Sequence, residues 1–127
     1  MRKYKAMTKK ILIVDDNELI LEVMSYILIN NGYQVTSLST GDYVIDEVKN
    51  SHPDLLIIDA ILPGMDGRDI CKILKDDKDT KEMPVIICSG TDDLEEALRL
   101  TGAPNDILHK PFDITALISK VEYQLAA

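Results

Sequence analysis

Short runs of apolar residues alternate along this chain with longer segments in which apolar residues recur at helical spacing. The apolar runs at residues 10–14, 55–59 and 84–88 are almost continuous, which is typical of parallel strands covered on both faces. Weaker strands are predicted at 34–38 and 106–109, and helices at 18–31, 41–50, 68–77, 92–100 and 113–125. This alternation predicts a parallel α/β sheet with five strands and five helices.

The expected order of the strands predicts where a ligand binds. Right-handed crossovers place helices on both faces of the sheet, and the flavodoxin-like, doubly wound order 2-1-3-4-5 has a switch point between the first and third strands. In such folds, ligands bind outside the carboxyl ends of the strands at that point. The residues that directly follow the strands are therefore the candidates for function.

Charged and hydroxyl side chains stand at the ends of four of the five predicted strands. Asp15 and Asp16 follow the first strand, and Asp59 ends the third. Ser89 follows the fourth strand, and Lys110 follows the fifth. Each residue taken alone has an ordinary explanation, such as a helix cap, a turn former or a surface lysine. Their common position at strand ends is what predicts a shared site.

Three clustered carboxylates need a counterion. Two unit charges about 4 Å apart repel by roughly 4 kcal/mol at an effective dielectric constant of about 20, so we expect a cation among them. Oxygen ligands without a nearby His or Cys favour a hard divalent ion, Mg²⁺ or Mn²⁺. With that charge neutralised, the Asp59 carboxylate could attack a phosphoryl group, and Ser89 and Lys110 are suited to hold its oxygens.

Four motifs in this order resemble the receiver domain of bacterial two-component response regulators. They are KILIVDDN, LLIIDAILPGMDG, PVIICSG and ILHKPF, and the match spans residues 10–125. The resemblance implies a single-domain phosphoacceptor switch similar to the chemotaxis regulators. It implies a regulatory protein that catalyses only its own phosphorylation and dephosphorylation. We assign residues 10–127 to the receiver domain and residues 1–9 to a basic N-terminal extension.

The resemblance also implies how the acidic residues act. Asp59 accepts the phosphoryl group from a sensor histidine kinase or from a histidine phosphotransfer protein. Asp16 and Asp59 bind Mg²⁺ directly, Asp15 binds it through water, and the backbone carbonyl of Ile61 supplies a further oxygen.

Signal output is implied by the same resemblance. Ser89 moves towards the phosphoryl group, Lys110 contacts that group, and the peptide bond between Lys110 and Pro111 is cis. The change alters the face formed by the fourth helix, the fifth strand and the fifth helix, which contacts a downstream protein target. A residue of the fifth strand, normally Tyr or Phe in the family, rotates inward. That position is Ile107 here, so an aromatic switch is not assumed.

Composition limits the other partners. The chain has 127 residues, 46% of them hydrophobic, which suits one packed domain. Its net charge of -8 disfavours binding to nucleic acid through the general field of the protein. No apolar run approaches the roughly 20 residues of a membrane span, and no secretory signal is evident. We expect a cytoplasmic monomer or weak dimer, with Cys71 and Cys88 as reduced core thiols.

Two alternatives stay open at this point, and a third fails on charge. A receiver-like interaction module without phosphorylation would share the fold. Haloacid dehalogenase-type phosphatases also use a strand-end Asp with Mg²⁺, but Ile61 stands where they place a second Asp. A flavodoxin-type cofactor carrier would need a phosphate-binding loop after the first strand, where Asp15 and Asp16 would repel the phosphate. For the first helix, with nine apolar residues among residues 18–29, packing against the last helix and docking of a kinase helical bundle are both possible.

Overall fold

Five parallel strands form the central sheet in the computed structural model, which describes residues 8–90 and 102–126. The strands in chain order are β1 (Lys10–Val14), β2 (Gln34–Leu38), β3 (Leu55–Asp59), β4 (Ile61–Leu62), β5 (Met65–Asp66), β6 (Val85–Ser89) and β7 (Asp106–His109). The sheet order is β2-β1-β3-β6-β7, while β4 and β5 form a separate antiparallel hairpin. The predicted doubly wound order is therefore confirmed, and the small hairpin is a further element outside the predicted strands.

Four helices are described. They are α1 (Glu18–Asn30), α2 (Val44–Ser51), α3 (Gly67–Asp76) and α4 (Ile114–Leu125). The helix predicted at residues 92–100 lies outside the described residues. None of the helices in the described ranges is both long and apolar enough to span a bilayer.

Short polar side chains begin three of these helices. The side chain of Asn17 accepts hydrogen bonds from the backbone N–H groups of Leu19 and Ile20 at the start of α1. Asp66 caps α3, and Asp113 caps α4. These caps fix the point at which each chain segment turns from a strand end into a helix.

The hydrophobic core has two parts, one on each face of the sheet. One part joins alternate residues of β1 and β3 to α2 and α3, and the other joins the intervening residues to α1 and α4. In β3, for example, Leu56 and Ile58 belong to the first part, and Leu55 and Ile57 to the second. Both faces of the sheet are therefore covered, as the near-continuous apolar strands predict.

Two details of the core bear on the predictions. Helical spacing in residues 68–77 predicts that Ile70, Ile73 and Leu74 all point inward; Ile70 and Leu74 are buried, but the side chain of Ile73 is 53% exposed, so the prediction for Ile73 is wrong. Both cysteines are buried free thiols, and burial raises the pKa of Cys71 to about 11 and that of Cys88 to about 12. The prediction of reduced core thiols is confirmed, and at neutral pH neither thiol ionises.

Candidate functional site

The predicted site residues meet at one edge of the sheet. Because β1 pairs with β3 and β3 pairs with β6, all in parallel, their carboxyl ends lie side by side. Asp59 is paired in register with Cys88, the residue before Ser89. The backbone N–H of Lys110 donates to the carbonyl oxygen of Ser89 at 2.9 Å, which brings the end of β7 to the same edge.

Lys110 connects two buried carboxylates. Its Nζ lies 2.7 Å from Oδ2 of Asp15 and 3.1 Å from Oδ2 of Asp59. Asp15 is 2% exposed and Asp59 is 8% exposed. The other oxygen of Asp15 accepts from the backbone N–H of Asn17 at 2.9 Å, and Oδ1 of Asp59 accepts from the N–H of Ile61 at 3.4 Å. Both carboxylates are therefore held in place at both oxygens.

Burial and neighbouring charges have opposite effects on the pKa values of Asp59 and Lys110. Burial raises the pKa of Asp59, and although the Lys110 ammonium opposes that shift, the nearby Asp15 carboxylate adds to it, so the pKa stays raised. Burial alone would lower the pKa of Lys110, but its bonds to Asp15 and Asp59 outweigh that effect and raise it. Lys110 therefore remains charged, while the ionised form of Asp59 is not fully compensated.

The site is suited to a divalent cation. One oxygen from each of Asp15, Asp16 and Asp59 lies within 4.8 Å of the other two, and Asp16 is exposed to solvent. By formal charge, the three carboxylates and the one ammonium leave a net charge of about -2 at this edge. All the donors are oxygens, which hard ions such as Mg²⁺ and Mn²⁺ prefer. Asp15, Asp16 and Asp59 would hold such an ion.

Ile61 lies in the hairpin strand β4, two residues after Asp59. Its backbone N–H points to the Asp59 carboxylate, and its side chain is 64% exposed. Its place beside Asp59 agrees with the prediction that its backbone carbonyl oxygen is a ligand of Mg²⁺. That role stays a prediction. An exposed aliphatic side chain at this position offers no general acid, which argues against the phosphatase alternative.

Two further residues were predicted to take part in switching. Ser89 ends β6 and is 2% exposed, next to the strand that carries Asp59. Ile107 pairs in register with Ile87 and is 5% exposed within the α2 and α3 part of the core. His109, by contrast, is exposed and lies at the end of β7. The peptide bond between Lys110 and Pro111 is cis, as the resemblance implies.

Two contacts at the site were not anticipated. The backbone N–H of Asn17, the residue that caps α1, donates to the Asp15 carboxylate and holds it in place. The first residue of α3, Gly67, lies against the backbone of Asp59. Glycine is the residue that permits a close approach of two backbone segments, and Gly67 directly before the helix predicted at residues 68–77 is the sequence signal that could have indicated this contact.

A family comparison decides the class of this site. The family model described as the response regulator receiver domain matches residues 11–122. The chain belongs to this family. Receiver domains are regulatory phosphoacceptors of two-component signal transduction rather than classical enzymes, and they bind Mg²⁺ at an acidic pocket. Response regulators interact with histidine kinases and with downstream targets.

Curated relatives agree with this assignment. The chain is 30% identical over 120 residues to the DNA-binding response regulator MtrA of Mycobacterium tuberculosis, a match covering 94% of this chain and 51% of MtrA. It is 32% identical over 117 residues to the alkaline phosphatase synthesis transcriptional regulatory protein PhoP of Bacillus subtilis, covering 91% of this chain and 48% of PhoP. The chain thus spans about half the length of these relatives.

Solved structures show the same fold. A putative response regulator from Chloroflexus aurantiacus superimposes with a TM-score of 0.86 at 30% identity, covering 95% of this chain and all of that one. The receiver domain of a signal transduction histidine kinase from Syntrophus aciditrophicus gives 0.85 at 32% identity, covering 94% of this chain and 91% of that one. The chemotaxis response regulator CheY4 of Vibrio cholerae gives 0.85 at 23% identity, with coverage of 94% and 100%, and shows the fold alone.

Proposed function

We propose that this chain is a signalling switch in which Asp59 accepts a phosphoryl group from a histidine kinase or a histidine phosphotransfer protein. The observation that carries the proposal is the convergence of Asp59 with Asp15, Asp16 and Lys110 at one edge of the sheet. Structural needs alone do not account for three carboxylates at one edge, two of them buried, because burying like charges together is costly.

The transfer step follows from these positions. An Asp59 carboxylate oxygen attacks the phosphorus of a phosphohistidine, so that a P–O bond forms while the P–N bond breaks and the imidazole leaves with its electron pair. Lys110, already 3.1 Å from Asp59, would shift its contact to a phosphoryl oxygen. Ser89 would donate its hydroxyl to another such oxygen. A bound Mg²⁺ supplies positive charge that offsets the carboxylates and the transferred group.

The output surface that we propose comprises β7 and α4, together with the helix predicted at residues 92–100, which lies outside the described residues. Because Ile107 is packed in the core and is not aromatic, we propose that this surface changes without rotation of an aromatic side chain. The downstream target would be a protein. A cytoplasmic location and a monomer or weak dimer remain expectations from the sequence.

The experiment that tests the proposal compares the wild-type chain with Asp59→Asn. Incubation with Mg²⁺ and acetyl phosphate should add the mass of one phosphoryl group to the wild type and none to the variant, since an amide is a poor nucleophile. Intact-mass spectrometry measures this directly. Fluorine NMR with beryllofluoride gives a second readout, and amide shifts of β7 in that sample report how far Ile107 moves.

A matched control uses the other end of the same strand. Asp54 directly precedes β3 and bonds to the backbone N–H of Lys10, so Asp54→Asn should be modified like the wild type. Equal modification of wild type and Asp59→Asn would refute the choice of phosphoacceptor. A wild-type chain that gains no mass with Mg²⁺ present would favour the interaction module that lacks phosphorylation.

A further inference from the structure

The first residue of α3 touches the backbone of the proposed phosphoacceptor. A Cβ placed on Gly67 would fall far inside van der Waals contact with the carbonyl oxygen of Asp59. It would also lie 3.0 Å from the Asp59 carbonyl carbon and 3.3 Å from the Cα of Ala60. Gly67 therefore allows an approach between α3 and the end of β3 that any other residue would prevent.

Other glycines in the described ranges have different surroundings. Gly64 lies between the hairpin strands β4 and β5 and has a φ of +72°. A Cβ added to it would have nothing within 4 Å. The three atoms nearest to a Cβ on Gly41 would be side-chain atoms of Met65, Ile70 and Leu62, and a Cβ on Gly102 would meet Lys72, which is not one of the site residues. Side chains can shift at little cost, whereas a backbone carbonyl in a paired strand cannot. The contact at Gly67 is therefore the one that constrains the site.

Both sides of the contact are fixed. The N–H of Ala60 donates to the carbonyl of Cys88 at 2.8 Å, which ties the end of β3 to β6. The N–H of Gly67 donates to the carbonyl of Ala60 at 2.8 Å, which ties α3 to the same residue. Asp66 caps the helix through the N–H of Arg68 at 2.8 Å, and the inner face of α3 is buried. A side chain at position 67 must therefore displace one of these elements.

We propose that Gly67 is a positioning residue: by letting α3 rest on the Asp59 carbonyl, it sets where the Asp59 carboxylate lies relative to Asp15 and Lys110. The proposal rests on the proposed function of Asp59. A side chain at position 67 would move Asp59 by about 1 Å, and a displacement of that size can slow a reaction about 100-fold. It would also separate the oxygens that are now within 4.8 Å of one another.

The test compares Gly67→Ala with Gly64→Ala in the full chain. Calorimetric titration with MgCl₂ measures the affinity of the cation site, and intact mass measures the rate of modification by acetyl phosphate. We expect Gly67→Ala to weaken Mg²⁺ binding and to slow modification at least tenfold, while circular dichroism shows the fold retained. Gly64→Ala introduces backbone strain at a positive φ, but its Cβ contacts no other residue. The Mg²⁺ affinity and the rate of modification should therefore stay within twofold of wild type.

A second pair of variants covers the case in which Gly67→Ala fails to fold. Asp66→Ala removes the cap of α3 and loosens its first turn, so we expect at least threefold weaker Mg²⁺ binding. Asp113→Ala removes the cap of α4, where the N–H of Thr115 bonds at 2.9 Å, and should leave Mg²⁺ binding unchanged. A folded Gly67→Ala, or failing that an Asp66→Ala, with wild-type Mg²⁺ affinity would overturn the proposal. Failure of the proposed function would appear differently, as a wild-type chain that is not modified.

Discussion

At the scale of single residues, the burial of Asp59 opposes the ionisation that its proposed reaction needs. Its carboxylate is 8% exposed and close to Asp15, so that its ionised form is costly in spite of the ammonium of Lys110. The nucleophile must nevertheless be ionised to attack a phosphoryl group. The site therefore holds a charge that favours the proposed reaction and lowers the free energy of unfolding.

This conflict predicts that Asp59→Asn stabilises the protein when no divalent cation is present. A raised pKa in the folded state means that Asp59 contributes stability below its unfolded pKa and loses that contribution as pH rises through the folded pKa. At pH 7 only the cost of the charge remains, and Asn removes it. We expect a gain of about 1 kcal/mol in the free energy of unfolding in urea with EDTA present.

Two conditions provide the controls for that measurement. Near pH 4 the difference between wild type and Asp59→Asn should shrink, because the wild-type carboxyl becomes protonated. Added Mg²⁺ should stabilise the wild type more than the variant, which has lost one ligand. A variant that is less stable than wild type in EDTA at pH 7 would show that the bond to Lys110 outweighs the cost of burial.

The site residues could be predicted individually, but their environments could not. Each lies at or just after a strand end, and parallel strands bring those ends together, so the order of elements is sufficient to gather them. The sequence does not distinguish the adjacent Asp15 and Asp16, yet Asp15 is buried at 2% exposure and Asp16 is exposed. The buried one, Asp15, bonds to Lys110, which is 95 residues away along the chain, so that neighbouring residues do not reveal this contact.

At the scale of elements, α1 has two apolar faces. Leu21, Met24 and Leu28 are buried against the sheet, which confirms that packing explains part of its composition. A second row on the outer face is exposed, comprising Leu19, Val23, Tyr26 and Ile29, at 45–73% exposure. Helical periodicity could not separate these rows, because a helix that is apolar nearly all round has no single hydrophobic face. The same limit applies to Ile73 on α3, whose exposure the pattern did not reveal.

The exposed row on α1 predicts where a phosphodonor protein docks. Leu19 lies in the first turn of α1, directly after the acidic residues of the site, and a stripe of apolar side chains suits the helical bundle of a kinase. Tyr26 is 73% exposed, and Tyr→Ala at the centre of such a contact costs about tenfold or more in affinity. A panel of histidine kinases is first assayed on the wild type, and the kinase that phosphorylates it fastest is chosen. We expect Tyr26→Ala to slow phosphorylation by that kinase.

Tyr123 on α4 provides the matched control, since it is also exposed, at 79%. Tyr123→Ala should leave the kinase-driven rate unchanged. Acetyl phosphate should modify both variants at the wild-type rate, because a small donor needs no docking surface. If Tyr26→Ala and the wild type are phosphorylated equally fast by the kinase, the phosphodonor binds elsewhere on the molecule.

At the scale of the whole molecule, charge decides which partners are plausible. Acidic residues outnumber basic ones by 22 to 14, and the site itself adds about two uncompensated negative charges to one edge. Two of the relatives are named as a DNA-binding and a transcriptional regulator, and this chain matches about half of each. Binding to DNA requires a cationic surface that releases counterions, and a net charge of -8 disfavours such binding through the general field of the protein.

The 127-residue chain should therefore not bind duplex DNA by itself, with or without beryllofluoride. In an electrophoretic mobility assay at 50 mM salt, where electrostatic binding is strong, we expect no retardation at protein concentrations up to about 10 μM. Phosphorylation adds negative charge, so activation by beryllofluoride should not create such binding. Retardation at 50 mM salt that disappears at 200 mM would contradict this prediction, since that steep salt dependence is the signature of contacts to phosphates.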